Sequence, residues 1–395
     1  MIQDPISVQQ ARALIAASVI PVPAVKKYIA DATGLTIAED IFSQLDIPAF
    51  NQSSMDGYAI YAEDISETLS VQGVIRAGDK DPAVLRRKHA MRIYTGAQLP
   101  EAADTIVMQE KVETEGGSIR ILEHTVEKGT HVRKMGSELQ KDELVVKNGT
   151  SISAPVIGLL ASIGVTEIKV YDRIKISVIA TGNELQKPGE PLESGQNYES
   201  NVFFLSAALR PYISDTLGVS YADDNLASIQ ELISAAVHES DVVLLTGGIS
   251  VGDYDFVRNA ADNNNIHCKF HRVKQKPGKP LYFGTKENKL VFGLPGNPAS
   301  VITCFYEYVL PAIRFMMQLP QEETANAILK NEFKKAHGLT QFLKGFADEG
   351  EVEILEAQES YRLRSFALAN CLVHLDEQKE HYEKGEEVTI RFIPK

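Results

Sequence analysis

The spacing of apolar residues changes period several times along the chain, and each change marks a new kind of element. Ala11, Leu14, Ile15 and Val19 share one helical face, and Ser7 is placed to cap a helix over Val8–Ser18. Residues 33–45 predict a turn and a short strand. From 58 to 135, short β-like pieces at 58–61, 70–75, 105–108, 119–122 and 131–133 are separated by glycines and charges, the texture of a small, mostly β unit. From 137 to 170 an apolar helix and a strand return, so the chain leaves one structural unit and re-enters it. Residues 174–320 alternate apolar runs at 174–182, 241–248, 279–285 and 289–294 with helical patterns at 201–213, 226–240, 253–264 and 299–318. Such alternation predicts right-handed βαβ units and a parallel sheet covered on both faces. After Pro320, short strands separated by glycine and charge form a second β module.

The fold class expected is therefore multidomain, α/β plus β. The expected units are 1–45 with 137–172 as a linking domain, 46–136 as a mostly β insertion, 173–320 as the α/β domain and 321–395 as a C-terminal β domain. A chain of 395 residues is too long for one ordinary core, which agrees with several units. A net charge of −13 argues against a general nucleic-acid binder, so positive groups for any anionic ligand must be concentrated locally. Cys268, Cys304 and Cys371 lie far apart, which predicts neither a zinc site nor a disulfide framework and fits a reducing compartment. The N-terminal stretch lacks the basic segment of a signal peptide and no apolar run reaches membrane-spanning length, so a cytoplasmic protein without membrane or nucleic-acid partners is expected.

The candidate chemistry sits where buried strands end. Val242–Leu245 leads into Thr246-Gly247-Gly248, then Ser250, Gly252, Asp253 and Asp255. Backbone approaches a phosphate closely where side chains are absent, and open α/β sheets bind ligands at the carboxyl ends of their strands. The two acids suit a metal that bridges to a phosphate better than a bare phosphate. A second glycine turn, 180–192, carries Glu184, and a third, 293–300, fixes a loop before a helix N-terminus that favours an anion. Ser200 fits a helix N-cap or a ligand contact, and Asp223 and Asp224 fit a cap or a site. Lys276 and Lys279 bracket a stiff Pro-Gly turn, and two ammonium groups held close favour a bound oxyanion. Asp56, and Thr95 with Asp104 and Glu110, form polar clusters outside the parallel sheet that would act across a domain or subunit boundary.

MDGYA at 55–59, TGAQLPEAADTIVMQE at 95–110, TGNEL at 181–185, YESN at 198–201, TGGISVGDYD at 246–255, KPGKP at 276–280 and LPGNP at 294–298 together resemble the MoeA family, which includes the E domain of gephyrin. The resemblance covers essentially the whole chain. It implies molybdopterin molybdenumtransferase activity: adenylylated molybdopterin and molybdate as substrates, metal insertion into the dithiolene, release of AMP, and Mg²⁺ support. It also implies a MogA-like three-layer α/β domain, a helical and extended linking domain, a C-terminal β-barrel-like domain and a homodimer. Each active site would combine the α/β domain of one subunit with the β insertion of the other. Contacts with a molybdopterin adenylyltransferase and with apo-molybdoenzymes are also implied.

By matching position, the resemblance makes Asp56, Thr95, Glu184, Asp224 and Asp255 the catalytic set, with Glu184, Asp224 and Asp255 as ligands for Mg²⁺. It makes Gly247, Gly248, Ser250, Arg272, Lys276, Lys279, Pro295, Asn297, Pro298 and Ser365 substrate-binding. The C-terminal module departs most from the family pattern: Lys344 stands for an arginine, Tyr361 and Cys371 for glycines and Arg364 for a serine, while Ser365 is retained. Lysine lacks the guanidinium fork, so molybdate handling, and selectivity against tungstate, would change if this module takes part. A non-catalytic scaffolding paralogue and an adenylyltransferase are the alternative readings. The retained acids argue against the first and the Asp56 and Thr95 clusters against the second.

Overall fold

The first helix, Val8–Ser18, opens with a capping box: Gln10 N donates to Ser7 Oγ at 3.1 Å, and Ser7 N donates to Gln10 Oε1 at 2.9 Å. It buries Val8, Ala11 and Ile15, whereas Leu14, at the edge of that stripe, stays exposed. The computed structural model describes residues 4–80, 84–214, 216–249, 256–321 and 324–394. Ser250 and Asp255 therefore lie outside the described residues.

Strands Ala24–Tyr28 and Thr36–Ile37 flank Glu167–Tyr171 in one antiparallel sheet, so the two ends of the linking segment meet. The chain between them builds a six-stranded sheet in the order 105–108, 57–60, 89–93, 68–75, 118–121 and 112–115, with a core on each face. The strand His89–Ile93 was hidden in the sequence by the charges around it.

The α/β unit contains strands β1 (Ile176–Thr181), β2 (Gly218–Ala222), β3 (Val242–Thr246), β4 (His267–Arg272), β5 (Pro280–Lys286) and β6 (Lys289–Leu294). Their spatial order is β2-β1-β3-β6-β5-β4. The first four in that order run parallel, β5 runs against them and β4 pairs antiparallel with β5, so the sheet is mixed rather than wholly parallel. The two-residue link between β5 and β6 forces this: a parallel crossover needs a dozen residues or more. Every residue of β3 is buried, as its central place requires. Helices Leu226–Glu239 and Phe256–Asn263 pack on one face, and Asn201–Leu209 with the long helix from Pro298 packs on the other. That long helix passes through a π-helical turn, Phe305–Val309, just before Pro311. Proline cannot donate the usual backbone hydrogen bond, and the widened turn accommodates the loss.

The C-terminal strands β7 (Thr324–Leu329), β8 (Thr340–Asp348), β9 (Glu351–Ile354), β10 (Cys371–Leu375) and β11 (Glu387–Phe392) run in the order β8-β9-β7-β11-β10. The sheet closes where β10 pairs with β8, giving a five-stranded barrel. One continuous core joins the first helix, the linking sheet, one face of the α/β sheet, and Phe342 and Leu372 of the barrel. No helix among the described residues is long and apolar enough to cross a membrane.

Candidate active site

Strands β1, β3 and β6 are parallel neighbours, so the loops that leave them open on the same side of the sheet. Those loops line a cavity of about 950 Å³ with walls from Thr181, Gly182 and Glu184, from Thr246, Gly247 and Gly248, and from Gly296, Asn297 and Pro298. Asn201, buried at the start of its helix, ties two of the loops together: its Nδ2 donates to Thr246 Oγ1 and to the Gly296 carbonyl, both at 2.9 Å. Gly247 has φ +85°, and a Cβ there would lie 2.3 Å from the Thr181 carbonyl oxygen. The second wall can approach the first this closely only because the residue is glycine. Thr181 Oγ1 is buried and has no hydrogen-bond partner among the described residues.

Two carboxylates, Glu184 and Asp224, line the cavity, and no lysine or arginine does among the described residues. Neither acid is used as a helix cap. Asn225 caps the helix Leu226–Glu239 by accepting from Ser228 N at 2.9 Å, which leaves Asp224 free on the wall. Ser200 is also no side-chain cap. Its neighbour Glu199 accepts from Val202 N at 3.0 and 3.1 Å, and Ser200 lines the cavity. Burial raises the Glu199 carboxyl above its ordinary value, and the backbone N–H groups of 201–203 offset only part of that effect. Pro295 is buried behind the wall, so Gly296 takes the place expected of it beside Asn297 and Pro298.

The other expected residues fall into three further groups. Asp56 and Thr95 meet on the insertion sheet, where Thr95 N and Oγ1 both donate to Asp56 Oδ1 at 2.8 Å. Those bonds, the backbone one foremost, hold the Asp56 carboxyl below its ordinary value, with help from Arg92. Arg92 itself sits 5.1 Å from the ring centres of both Tyr58 and Tyr94. This cluster is not on the cavity wall within the chain.

The second group is the lysine turn. Lys276 and Lys279 are exposed, with no carboxylate paired to either among the described residues. The turn is anchored from below: Gln275 Nε2 donates to the carbonyls of Pro277 and Gly278 at 3.1 and 3.0 Å, and Tyr308 Oη donates to Gln275 Oε1. Gln275–Lys276 also pairs with Thr340–Gln341 of the barrel. Arg272, just before the turn, has a buried Nε without a hydrogen-bond partner among the described residues.

The third group lies in the barrel. Ser365 is buried and its hydroxyl donates to the Ala357 carbonyl at 2.9 Å. Lys344 is buried too, and its Nζ donates to the carbonyls of Ala357, Glu359 and Arg362 at 2.6, 3.4 and 3.3 Å. Burial lowers its affinity for a proton. Lys344 therefore closes the 357–362 loop in place of presenting a charge to a ligand.

Residues 6–164 match the MoeA N-terminal region (domain I and II), 177–314 a probable molybdopterin-binding domain and 326–393 the MoeA C-terminal region (domain IV). The molybdopterin molybdenumtransferase of Haemophilus influenzae is 34% identical over 384 residues, covering 94% of this chain and 95% of that protein. The chain belongs to the MoeA family. The Bacillus subtilis molybdopterin molybdenumtransferase is 30% identical over 373 residues, 90% of this chain and 87% of that protein. A molybdopterin biosynthesis MoeA protein from Pyrococcus horikosii has a TM-score of 0.85 at 31% identity, covering 98% of this chain and 99% of that one.

Within this MoeA fold, several wall residues escaped the reading of the sequence. Thr181 and Asn201 were visible as members of TGNEL and YESN, but their wall and tether roles needed the fold. Tyr198 was likewise in a motif without a role. Tyr361 reaches the cavity from the barrel, across a sequence distance that no local pattern bridges. Glu307 gave no signal at all, being a single acid in an apolar helix. It is fully buried, and it receives Arg12 of the first helix, His374 Nε2 of β10 at 2.8 Å and Arg391 Nε of β11 at 3.3 Å.

Proposed function

We propose that this chain inserts molybdenum from molybdate into adenylylated molybdopterin and releases AMP, using Mg²⁺, as one half of a homodimer. The observation that carries this reading is the cavity. It joins two carboxylates and glycine-loop backbone to a size suited to a small-molecule ligand, yet contributes no basic side chain among the described residues.

A phosphate-bearing ligand facing Glu184 and Asp224 requires a cation between them. Mg²⁺ is commonly held by one or two carboxylates with the remaining positions filled by ligand phosphates and water. Glu184 and Asp224 on the cavity wall supply such a pair of carboxylates. Asp255 joins the set by its sequence position. When bound, Mg²⁺ neutralises charge on the phosphate oxygens. The chain's own groups do the rest. The backbone of Gly247 and Gly248 lets a phosphate approach closely, Thr181 Oγ1 has a hydroxyl free to donate, and Asn201 fixes the loops against each other.

Lys276, Lys279 and Arg272 attract molybdate at the turn beside the barrel, where two exposed ammonium groups have no paired carboxylate among the described residues and a half-buried guanidinium precedes them. Asp56 and Thr95 lie off this cavity, and we assign them to the site of the partner subunit. Sheet membership supports the division into 1–45 with 137–172, 46–136, 173–320 and 321–395. A cytoplasmic location, supply of substrate by an adenylyltransferase and delivery to apo-molybdoenzymes complete the reading.

Mixing inactive subunits tests both the residues and the sharing. Asp224→Ala and Asp56→Ala proteins should each release AMP far more slowly than wild type. Randomly exchanged dimers should recover about a quarter of the wild-type rate, because half are mixed and each mixed dimer keeps one intact site. Normal AMP release by Asp224→Ala would remove that residue from the chemistry. No recovery on mixing active-site-deficient subunits that do exchange would remove the sharing.

A further inference from the structure

The barrel sends one side chain to the rim of the pterin cavity. Tyr361 lines the cavity and is 64% exposed, although its loop is held by hydrogen bonds on two sides. Two sets of bonds hold that loop. Towards the α/β unit, Asn297 Nδ2 donates to Ser360 Oγ at 3.2 Å and Ala299 N donates to the Ser360 carbonyl at 3.0 Å. Towards the barrel, the buried ammonium of Lys344 gathers three loop carbonyls, and Ser365 takes the Ala357 carbonyl a second time. The Arg362 guanidinium carbon lies over the ring, 5.7 Å from its centre. An exposed aromatic ring normally loses little by being mobile. Here a buried charge and two interdomain hydrogen bonds hold the loop on both sides of it, and Tyr361 lines the cavity at the strand ends.

We infer that Tyr361 is a specificity residue that stacks on a flat heterocycle of the bound substrate. Resting on the function proposed above, this assigns Lys344 and Ser365 as the residues that position Tyr361 rather than as oxyanion ligands. The substrate class proposed above contains two flat ring systems, the pterin and the adenine. Both offer the same π face, and both suit a tyrosine backed by a guanidinium.

Calorimetric titration of the full-length protein, with Mg²⁺ present and molybdate absent, tests this. Adenylylated molybdopterin should bind Tyr361→Ala about 10-fold or more weakly than wild type, and Tyr361→Phe within about 2-fold, since the ring carries the contact. Steady-state assays should place the loss in KM, with kcat close to wild type. Titration with AMP alone and with molybdopterin alone identifies the stacked ring by which of the two loses affinity in Tyr361→Ala. Urea unfolding should show equal midpoints for all three proteins, because the ring is exposed. Wild-type affinity of Tyr361→Ala for all three ligands overturns the inference, as does an equal loss in Tyr361→Phe. Failure of wild type to bind any of them overturns the functional reading itself.

Discussion

Replacing Glu307 by glutamine should loosen the junction of three parts of the molecule by about 3 kcal/mol. The side chain is fully buried, and its carboxylate forms ion pairs with Arg12 of the first helix and with His374 and Arg391 of the barrel. Glutamine keeps the shape but removes the negative charge that these three cations share. Breaking a buried pair by removing one partner costs about 3–5 kcal/mol. The acid's own titration gives a second route to the magnitude. Burial pushes its pKa up, but His374, Arg12 and Arg391 outweigh burial and bring it down from 4.5 to about 2. That difference corresponds to about 3 kcal/mol at 1.36 kcal/mol per pH unit.

The sign follows from the direction of the change. A carboxyl whose folded value is depressed contributes stability that is complete above its unfolded value and is lost as pH falls through the folded one. The difference between wild type and Glu307→Gln should therefore be full at pH 7, begin to shrink near pH 4.5 and be less than half by pH 3. Urea unfolding followed by circular dichroism at several pH values measures it. A neutral-pH difference below about 1 kcal/mol, or one that stays constant down to pH 3, would refute the reasoning.

Other substitutions probe the cavity itself. Gly247→Ala forces a side chain onto the Thr181 carbonyl at a φ of +85°, so a loss of about 1–3 kcal/mol in stability and a severe loss of AMP release are expected. Thermal unfolding and initial rates check both. Asn201→Leu leaves Thr246 Oγ1 and the Gly296 carbonyl without their shared donor; stability should fall by about 1–3 kcal/mol, and kcat/KM should fall further than stability alone explains. Thr95→Val removes one of two bonds to Asp56 and should raise the Asp56 pKa, which carbon-detected NMR titration of the carboxyl reads directly.

Local signals carried much of the fold. The first helix was readable because its start is written into Ser7 and Gln10, and the central strand β3 because all five of its residues are apolar or small and buried. The strands that escaped notice, β2 and β4, are the two edges of the sheet. Edge strands keep exposed polar positions, so neither shows a continuous apolar run. The direction of β5 was illegible for another reason: an apolar run reports burial and says nothing of parallel or antiparallel pairing.

The site divides in the same way. Glycine loops at strand ends announced the cavity, and Glu184 and Asp224 proved to be on its wall. The roles of Lys344, Tyr361 and Glu307 depend on partners brought together only by folding, 295 residues apart in the case of Arg12 and Glu307. Substituting Lys344 for an expected arginine looked like altered oxyanion binding, whereas the buried ammonium holds a loop.

The account rests most heavily on turnover in the composite site. Purified full-length protein incubated with adenylylated molybdopterin, Mg²⁺ and molybdate, followed by chromatography for AMP and by reconstitution of an apo-molybdoenzyme, tests it most directly. The account predicts that AMP and active cofactor appear together, in equal amounts, and that both depend on Asp224. Tight binding of adenylylated molybdopterin with no AMP formed would contradict it.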